Sequence, residues 1–170
     1  GQYTNDVDLP AQTRLCFVRS PYPHARIVSV DTSAAQAMPG VRLILTGPQL
    51  KAAGVKPMPR AVNFKRADGS PLASPDRYIL AAERARYVGE AVAAVVADTE
   101  QQARDAAEAV VVDYQDLPHA VTLHDALADN APLITDSPDN RVAETRYGNA
   151  EAAAQAFAQA AHVVQLDITN

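Results

Sequence analysis

The stretch Glu90-Ala91-Val92-Ala93-Ala94-Val95-Val96-Ala97, followed at once by Asp98-Thr99-Glu100-Gln101-Gln102, decides how this chain folds. A run this uniformly apolar reads as a strand covered on both faces, because a strand with one wet face alternates. Asp98 and Thr99 end it. Thr99 and Gln102 have capping-box spacing, in which each side chain satisfies a backbone N–H at the other's position, so a helix opens there. Ala103, Ala106, Ala107 and Val110 then share one stripe of that helix. The spacing predicts a helix lying flat on a sheet, its small alanines permitting close approach. Val110-Val111-Val112-Asp113-Tyr114 reads as the returning strand, and the three elements together predict a parallel pair with a right-handed crossover.

The same grammar is visible upstream. Arg14-Leu15-Cys16-Phe17-Val18-Arg19 is strand-like, and Ala25-Arg26-Ile27-Val28-Ser29-Val30 reads as a further strand. Asp31 or Thr32 offers an N-cap oxygen to a short helix through Met38, which Pro39 and Gly40 stop. Val41-Arg42-Leu43-Ile44-Leu45-Thr46 follows, the second strand of a strand, helix, strand unit. Downstream, a helix is predicted from near Asn149, with Ala150, Ala153, Ala154, Phe157 and Ala161 on its apolar face. His162-Val163-Val164-Gln165-Leu166-Asp167-Ile168 alternates like a strand exposed on one side. Residues 54–82 differ: Pro57, Pro59, Pro71 and Pro75 with Gly54 and Gly69 break any sustained period. A loop of this length is a functional arm, a partner-covered surface or a disordered segment. The partner surface is the favoured reading.

Composition narrows the function classes. The chain has 170 residues, 48% of them hydrophobic, and a formal net charge of -5, enough apolar surface for an ordinary soluble domain. No window of 18 apolar residues exists to span a membrane, and the polar N-terminus shows no signal peptide, so a cytoplasmic location is expected. Residues 42–86 carry nine basic and three acidic side chains, whereas residues 87–170 carry three basic and fourteen acidic ones. The basic stretch has only Phe64 and Tyr78 as aromatic platforms and no reader motif, which argues against nucleic acid. A solvated loop whose cations face water or an acidic neighbour explains it more simply.

Chemistry-bearing residues are sparse. Cys16 is the lone cysteine and reads as an apolar filler, since nothing local supplies a base or an electropositive surround. His24, His119, His124 and His162 are scattered without metal-ligand spacing, and none stands apart from the others. Ser20 precedes Pro21 and looks like a turn rather than a nucleophile. Seven glycines form no phosphate-binding loop. Gly89 before the buried strand suggests a bulge or close backbone approach, and Glu90 reads as a strand-edge charge in preference to a ligand-facing carboxylate.

Several segments together resemble a known family. Gly1-Gln2-Tyr3 with residues 6–10, Arg19-Ser20-Pro21 with His24-Ala25-Arg26-Ile27, Pro39-Gly40-Val41, and Tyr87-Val88-Gly89-Glu90 are four of them. Asp105-Ala106-Ala107-Glu108 and Asp113-Tyr114-Gln115-Asp116-Leu117-Pro118, with Asp125-Ala126-Leu127, complete the set. In this order they resemble the N-terminal α/β-hammerhead domain of the molybdopterin-binding large subunit of the xanthine dehydrogenase, aldehyde oxidase and carbon monoxide dehydrogenase family. The resemblance covers nearly the whole chain, least well in the proline-containing loop and at residues 128–146.

The resemblance implies an α+β fold, a mixed sheet with βαβ units and packed helices, over one domain of residues 1–170 that is a fragment of a longer subunit. It implies a parent oxidoreductase that hydroxylates a substrate carbon with water-derived oxygen, or oxidises carbon monoxide, at a molybdenum-pterin centre. Electrons then pass through 2Fe-2S clusters to FAD in partner domains or subunits. The pterin ligands and the active-site glutamate of such relatives lie beyond the hammerhead, so no catalytic, cofactor-binding or metal-ligating residue is assigned here and none is expected to hold a cofactor. The expected role is packing and assembly, with the rest of the large subunit and the iron-sulfur and flavin components as partners, and neither nucleic acid nor membrane. Two other readings stay open: a free-standing small-molecule or protein-binding module reusing the fold, and a stand-alone enzyme built on Cys16 or a histidine.

Overall fold

The computed structural model describes residues 1–3, 6–59, 64–66, 68–71, 74–134, 139–145 and 147–168. Six strands, β1 (Arg14–Arg19), β2 (Ala25–Asp31), β3 (Val41–Thr46), β4 (Arg84–Ala85), β5 (Ala91–Ala97) and β6 (Val111–Asp116), form two three-stranded sheets of order β1-β5-β3 and β4-β2-β6. Among the described residues five helices accompany these six strands: α1 (Ser33–Gln36), α2 (Gly47–Ala52), α3 (Glu100–Glu108), α4 (Leu123–Ala126) and α5 (Ala150–Gln159). The α+β class holds.

The strand β5 is buried along both faces, as its apolar run requires. Thr99 and Gln102 form the capping box at the start of α3, and Ala103 and Ala106 are buried on its sheet-facing side. Val110, just past the helix, joins Ala106, Val95, Ile44 and Ala35 in one core cluster, and Ile27, Ala81 and Val92 form a second. Val18, Val30 and Val112 pack against both, so the two sheets share a core. Each fully buried valine contributes roughly 2 kcal/mol over an exposed one.

The pairing overturns the expected parallel pair and with it the mixed sheet. β5 pairs antiparallel with β1 on one side and β3 on the other, while β6 pairs antiparallel with β2. Both edges of β5 are therefore taken, and α3 carries the chain out of the first sheet into the second. The handedness rule governs only strands returning to the same sheet. The unit expected from β2 through α1 to β3 divides in the same way, β2 belonging to the second sheet and β3 to the first. Strand β6 is half-buried at alternate positions, the pattern of an antiparallel strand with one wet face.

The C-terminal region brings a second correction. Helix α5 forms where expected and Asn149 caps it through the Ala152 N–H, yet none of its residues is buried. Residues 162–168 are exposed and form no strand, because alternation becomes a strand only where a ladder partner exists.

The loop of residues 54–82 is tied down at several points among the described residues. The Met58 N–H donates to the Arg77 carbonyl at 2.7 Å, Lys65 and Pro71 form an isolated bridge, and Leu80 and Ala81 enter the core. Arg66 pairs with Asp139 at 2.8 Å, and the Glu144 N–H donates to the Lys65 carbonyl at 3.2 Å. Part of the basic stretch thus faces an acidic neighbour within the chain.

Candidate functional site

Antiparallel pairing puts partnered residues on the same face of a ladder, and this builds an apolar surface on the first sheet. Leu15, Val96 and Leu43 form one cross-strand row, and Phe17, Ala94 and Leu45 form the next. The opposite face, with Val95 and Ile44, lies under α1 and α3. The Leu15 face is open at one end: Leu15 is 54% exposed, Leu43 48% and Phe17 36%. At the other end Ala81 packs on Val92 and closes it. The sequence signal for this surface is that β1 and β3 carry large apolar residues at consecutive positions, so that both of their faces are hydrophobic.

A buried polar corner lies where β1 leads into β2. Ser20 accepts the Tyr22 N–H at 3.1 Å through its hydroxyl, so the Ser20-Pro21 turn forms as read. The rings of Tyr22 and Tyr114 lie 5.1 Å apart. His24 is only 4% exposed, and its Nδ1 donates to the Pro118 carbonyl at 2.7 Å. A carbonyl only accepts, so Nδ1 carries the proton. Among the described residues Nε2 of His24 is buried without a hydrogen-bond partner, and the buried hydroxyl of Tyr114 has at most a weak contact with Ser20. Burial pushes the Tyr114 phenol up. His24 thereby stands apart from the other histidines, a difference that only packing reveals.

Gly89, at φ 91°, occupies a turn closed by the Glu90 N–H on the Tyr87 carbonyl at 3.2 Å, so its role is a left-handed turn rather than a bulge. The turn docks on β1: the Gly89 N–H donates to the Ser20 carbonyl at 2.8 Å, and Arg19 donates to the Gly89 carbonyl at 2.8 Å. Glu90 folds back to accept the Arg86 backbone N–H at 2.6 Å, the structural alternative for this carboxylate. Burial raises its pKa above the ordinary 4.5, against the smaller lowering effects of the Arg86 N–H and guanidinium and of Arg77. A raised carboxyl binds more protons in the folded state, so its contribution to stability falls as pH rises from about the unfolded value through the folded one. Glu90→Gln removes this dependence. The wild-type minus variant difference in unfolding free energy, followed by urea denaturation between pH 4 and pH 7, is expected to move steadily in the variant's favour. A flat difference would count against burial as the cause.

The remaining candidates are dispersed. Cys16 is half-buried and lines the groove between β1 and α3, about 820 Å³ in volume. Arg14, Arg19, Glu100, Arg104 and Glu108 line the same groove and no histidine does. Glu100 and Arg104 pair with each other at 2.6 Å. His119 lies exposed beside Asp116 at 3.9 Å, and His124 and His162 are exposed on α4 and in the C-terminal segment.

The single cysteine does not fit the iron-sulfur cluster of the resembled family. A 2Fe-2S cluster takes four thiolates or a mixture with histidines, and the chain has one cysteine. Among the described residues no three His, Cys, Asp or Glu side chains converge as metal ligands. The buried polar atoms of His24 and Tyr114 line none of the described clefts. No helix among the described residues is long and apolar enough to cross a membrane.

Comparison with known proteins agrees with the resemblance. Residues 1–118 match the family model described as aldehyde oxidase and xanthine dehydrogenase, a/b hammerhead domain. The carbon monoxide dehydrogenase large chain of Afipia carboxidovorans is 40% identical over 134 residues, covering 79% of this chain and 15% of its own length. The nicotine 6-hydroxylase large subunit of Paenarthrobacter nicotinovorans is 34% identical over 168 residues, covering 96% of this chain and 19% of its own. Reconstituted CO dehydrogenase from Oligotropha carboxidovorans superimposes with a TM-score of 0.72 at 35% identity, over 95% of this chain and 20% of that one. The chain thus spans less than a fifth of the length of these curated relatives.

Proposed function

The chain belongs to the aldehyde oxidase and xanthine dehydrogenase α/β-hammerhead family, and from that premise we propose that it is the assembly domain of a molybdenum hydroxylase large subunit. Residues 1–170 act as one scaffold unit that performs no reaction itself. The observation that carries this reading is the open apolar face of Leu15, Phe17 and Leu43 on a sheet whose other face packs its core under α1 and α3. Large apolar residues grouped on a surface mark an interaction site.

The occupants of that face are the remaining domains of the same subunit, which would hold the molybdenum-pterin group. The iron-sulfur and flavin components would join the same assembly, and the compartment would be the cytoplasm. The exposed apolar stripe of α5, with Phe157, offers a second contact surface to those domains.

The double variant Leu15→Glu, Leu43→Glu tests the reading. In the 170-residue chain, circular dichroism and melting temperature are expected to stay near wild type, since both side chains are half exposed. In the full subunit the same change is expected to abolish association with the remaining domains and to strip bound molybdenum. Normal assembly and metal content in that variant would overturn the proposal, as would substrate turnover by the isolated chain.

A further inference from the structure

The outer face of the second sheet gathers Arg26, Arg84 and Arg86, with the carboxylates of Glu83 and Glu90 close to Arg86. Arg26 of β2 and Arg84 of β4 are register partners, so their side chains leave the same face from directly opposite positions. Like charges so placed destabilise a ladder. Arg86 follows two residues after Arg84 and joins both in an open cleft of about 330 Å³ with Ile27, Ala82 and Glu83. The one carboxylate lining that cleft, Glu83, pairs with Lys51 and interacts more weakly with Arg86 and Arg84. Among the described residues none of the three arginines makes an ion pair, and the buried Nε of Arg86 has no hydrogen-bond partner. On the other side of Arg26 the register partner is Gln115, which is neutral.

We propose that this cleft docks an extended, carboxylate-rich segment of a partner protein or domain. A guanidinium presents a planar fork that matches a carboxylate in a two-bond geometry, and it keeps its charge at any working pH. The arrangement favours a chain over a small anion. Arg84 and Arg86 are spaced along an edge by two residues, about 7 Å in extended backbone, the same repeat at which an extended peptide presents side chains to one side. A phosphate needs donors converging on one point. β4 is also an outer strand of its sheet. The site lies on the other sheet from the apolar face and does not depend on how that face is covered.

The test uses the 170-residue chain and three probes: a fluorescent peptide of alternating Glu and Ser, its Gln counterpart, and inorganic phosphate. The Glu peptide is expected to bind, to weaken steeply as salt rises, and to lose on the order of tenfold in affinity in Arg26→Gln, Arg84→Gln. Arg104→Gln, on α3 outside the cleft, is expected to bind as wild type does. Without peptide, Arg26→Gln is expected to melt no lower than wild type, because the like-charge opposition is relieved.

Equal binding by the double variant overturns the proposal, and so does binding of phosphate in place of the peptide, which identifies a small-anion site. Chemical-shift mapping on the unmutated chain reads the same question without a variant. Shifts centred on residues 26, 84 and 86 support the site, and shifts centred elsewhere overturn it. Leu15→Glu, Leu43→Glu leaves peptide binding unchanged, so failure of this site and failure of the assembly role are separable.

Discussion

Gly47→Ala is expected to cost about 3 kcal/mol or more, a large share of the stability of a domain this size. Gly47 begins α2 directly after β3, and a Cβ added there would sit inside the contact distance of the Ala81 carbonyl and 2.8 Å from the Ala82 Cα. Both obstacles are backbone. Neither can swing away as a flexible side chain would, because the Ala81 N–H is held on the Ala91 carbonyl at 2.8 Å and Leu80 and Ala81 are buried. The Thr46–Gln49 capping box fixes the other partner in place. Gly54→Ala is the control: the added Cβ meets open space, and the strain of φ 79° alone costs about 1 kcal/mol. Urea denaturation compares the two. Equal midpoints would show that the approach of α2 to residues 81–82 does not constrain the fold.

Ala106→Leu is expected to destabilise by roughly 3 kcal/mol, near the upper end for overpacking a well-filled core. Ala106 is fully buried beneath α3, in contact with the cluster of Val95, Ile44 and Val110. Three extra carbons there must either lift the helix off the sheet or force side chains out of their rotamers. Lifting α3 would also expose Ala103 and loosen the entry to β6. Gln101→Leu, on the exposed side of the same helix, is expected to shift stability by no more than about 0.5 kcal/mol. A melting temperature for Ala106→Leu matching that of Gln101→Leu would sink the idea of a close alanine-mediated helix-to-sheet contact.

The candidate surfaces were legible to different degrees. The apolar face could be seen in the consecutive hydrophobic residues of Arg14–Arg19 and Val41–Thr46, once their pairing with Ala91–Ala97 is known. The arginine cleft could not, because Arg26 and Arg84 are far apart in the chain and only β2–β4 pairing brings them opposite each other. His24 looks like any other histidine until Pro118, 94 residues later, accepts its proton. The family resemblance rested on short local segments, which is why it survived errors in strand pairing.

Elements whose causes are local are already written in the order of the residues. The capping box at Thr99, the alanine stripe of α3, the doubly covered strand β5 and the helix beginning after Asn149 follow from neighbours within a turn or two. Which strands share a ladder was settled by long-range packing alone. A strand's pattern states how many of its faces are buried but not which edge it joins, and both edges of β5 were claimed by β1 and β3, leaving β6 to the second sheet. The same holds for residues 162–168, whose alternation found no edge to pair with. Gly47 belongs with them, since its lack of a side chain matters only because residues 81–82, distant in sequence, pass directly over it.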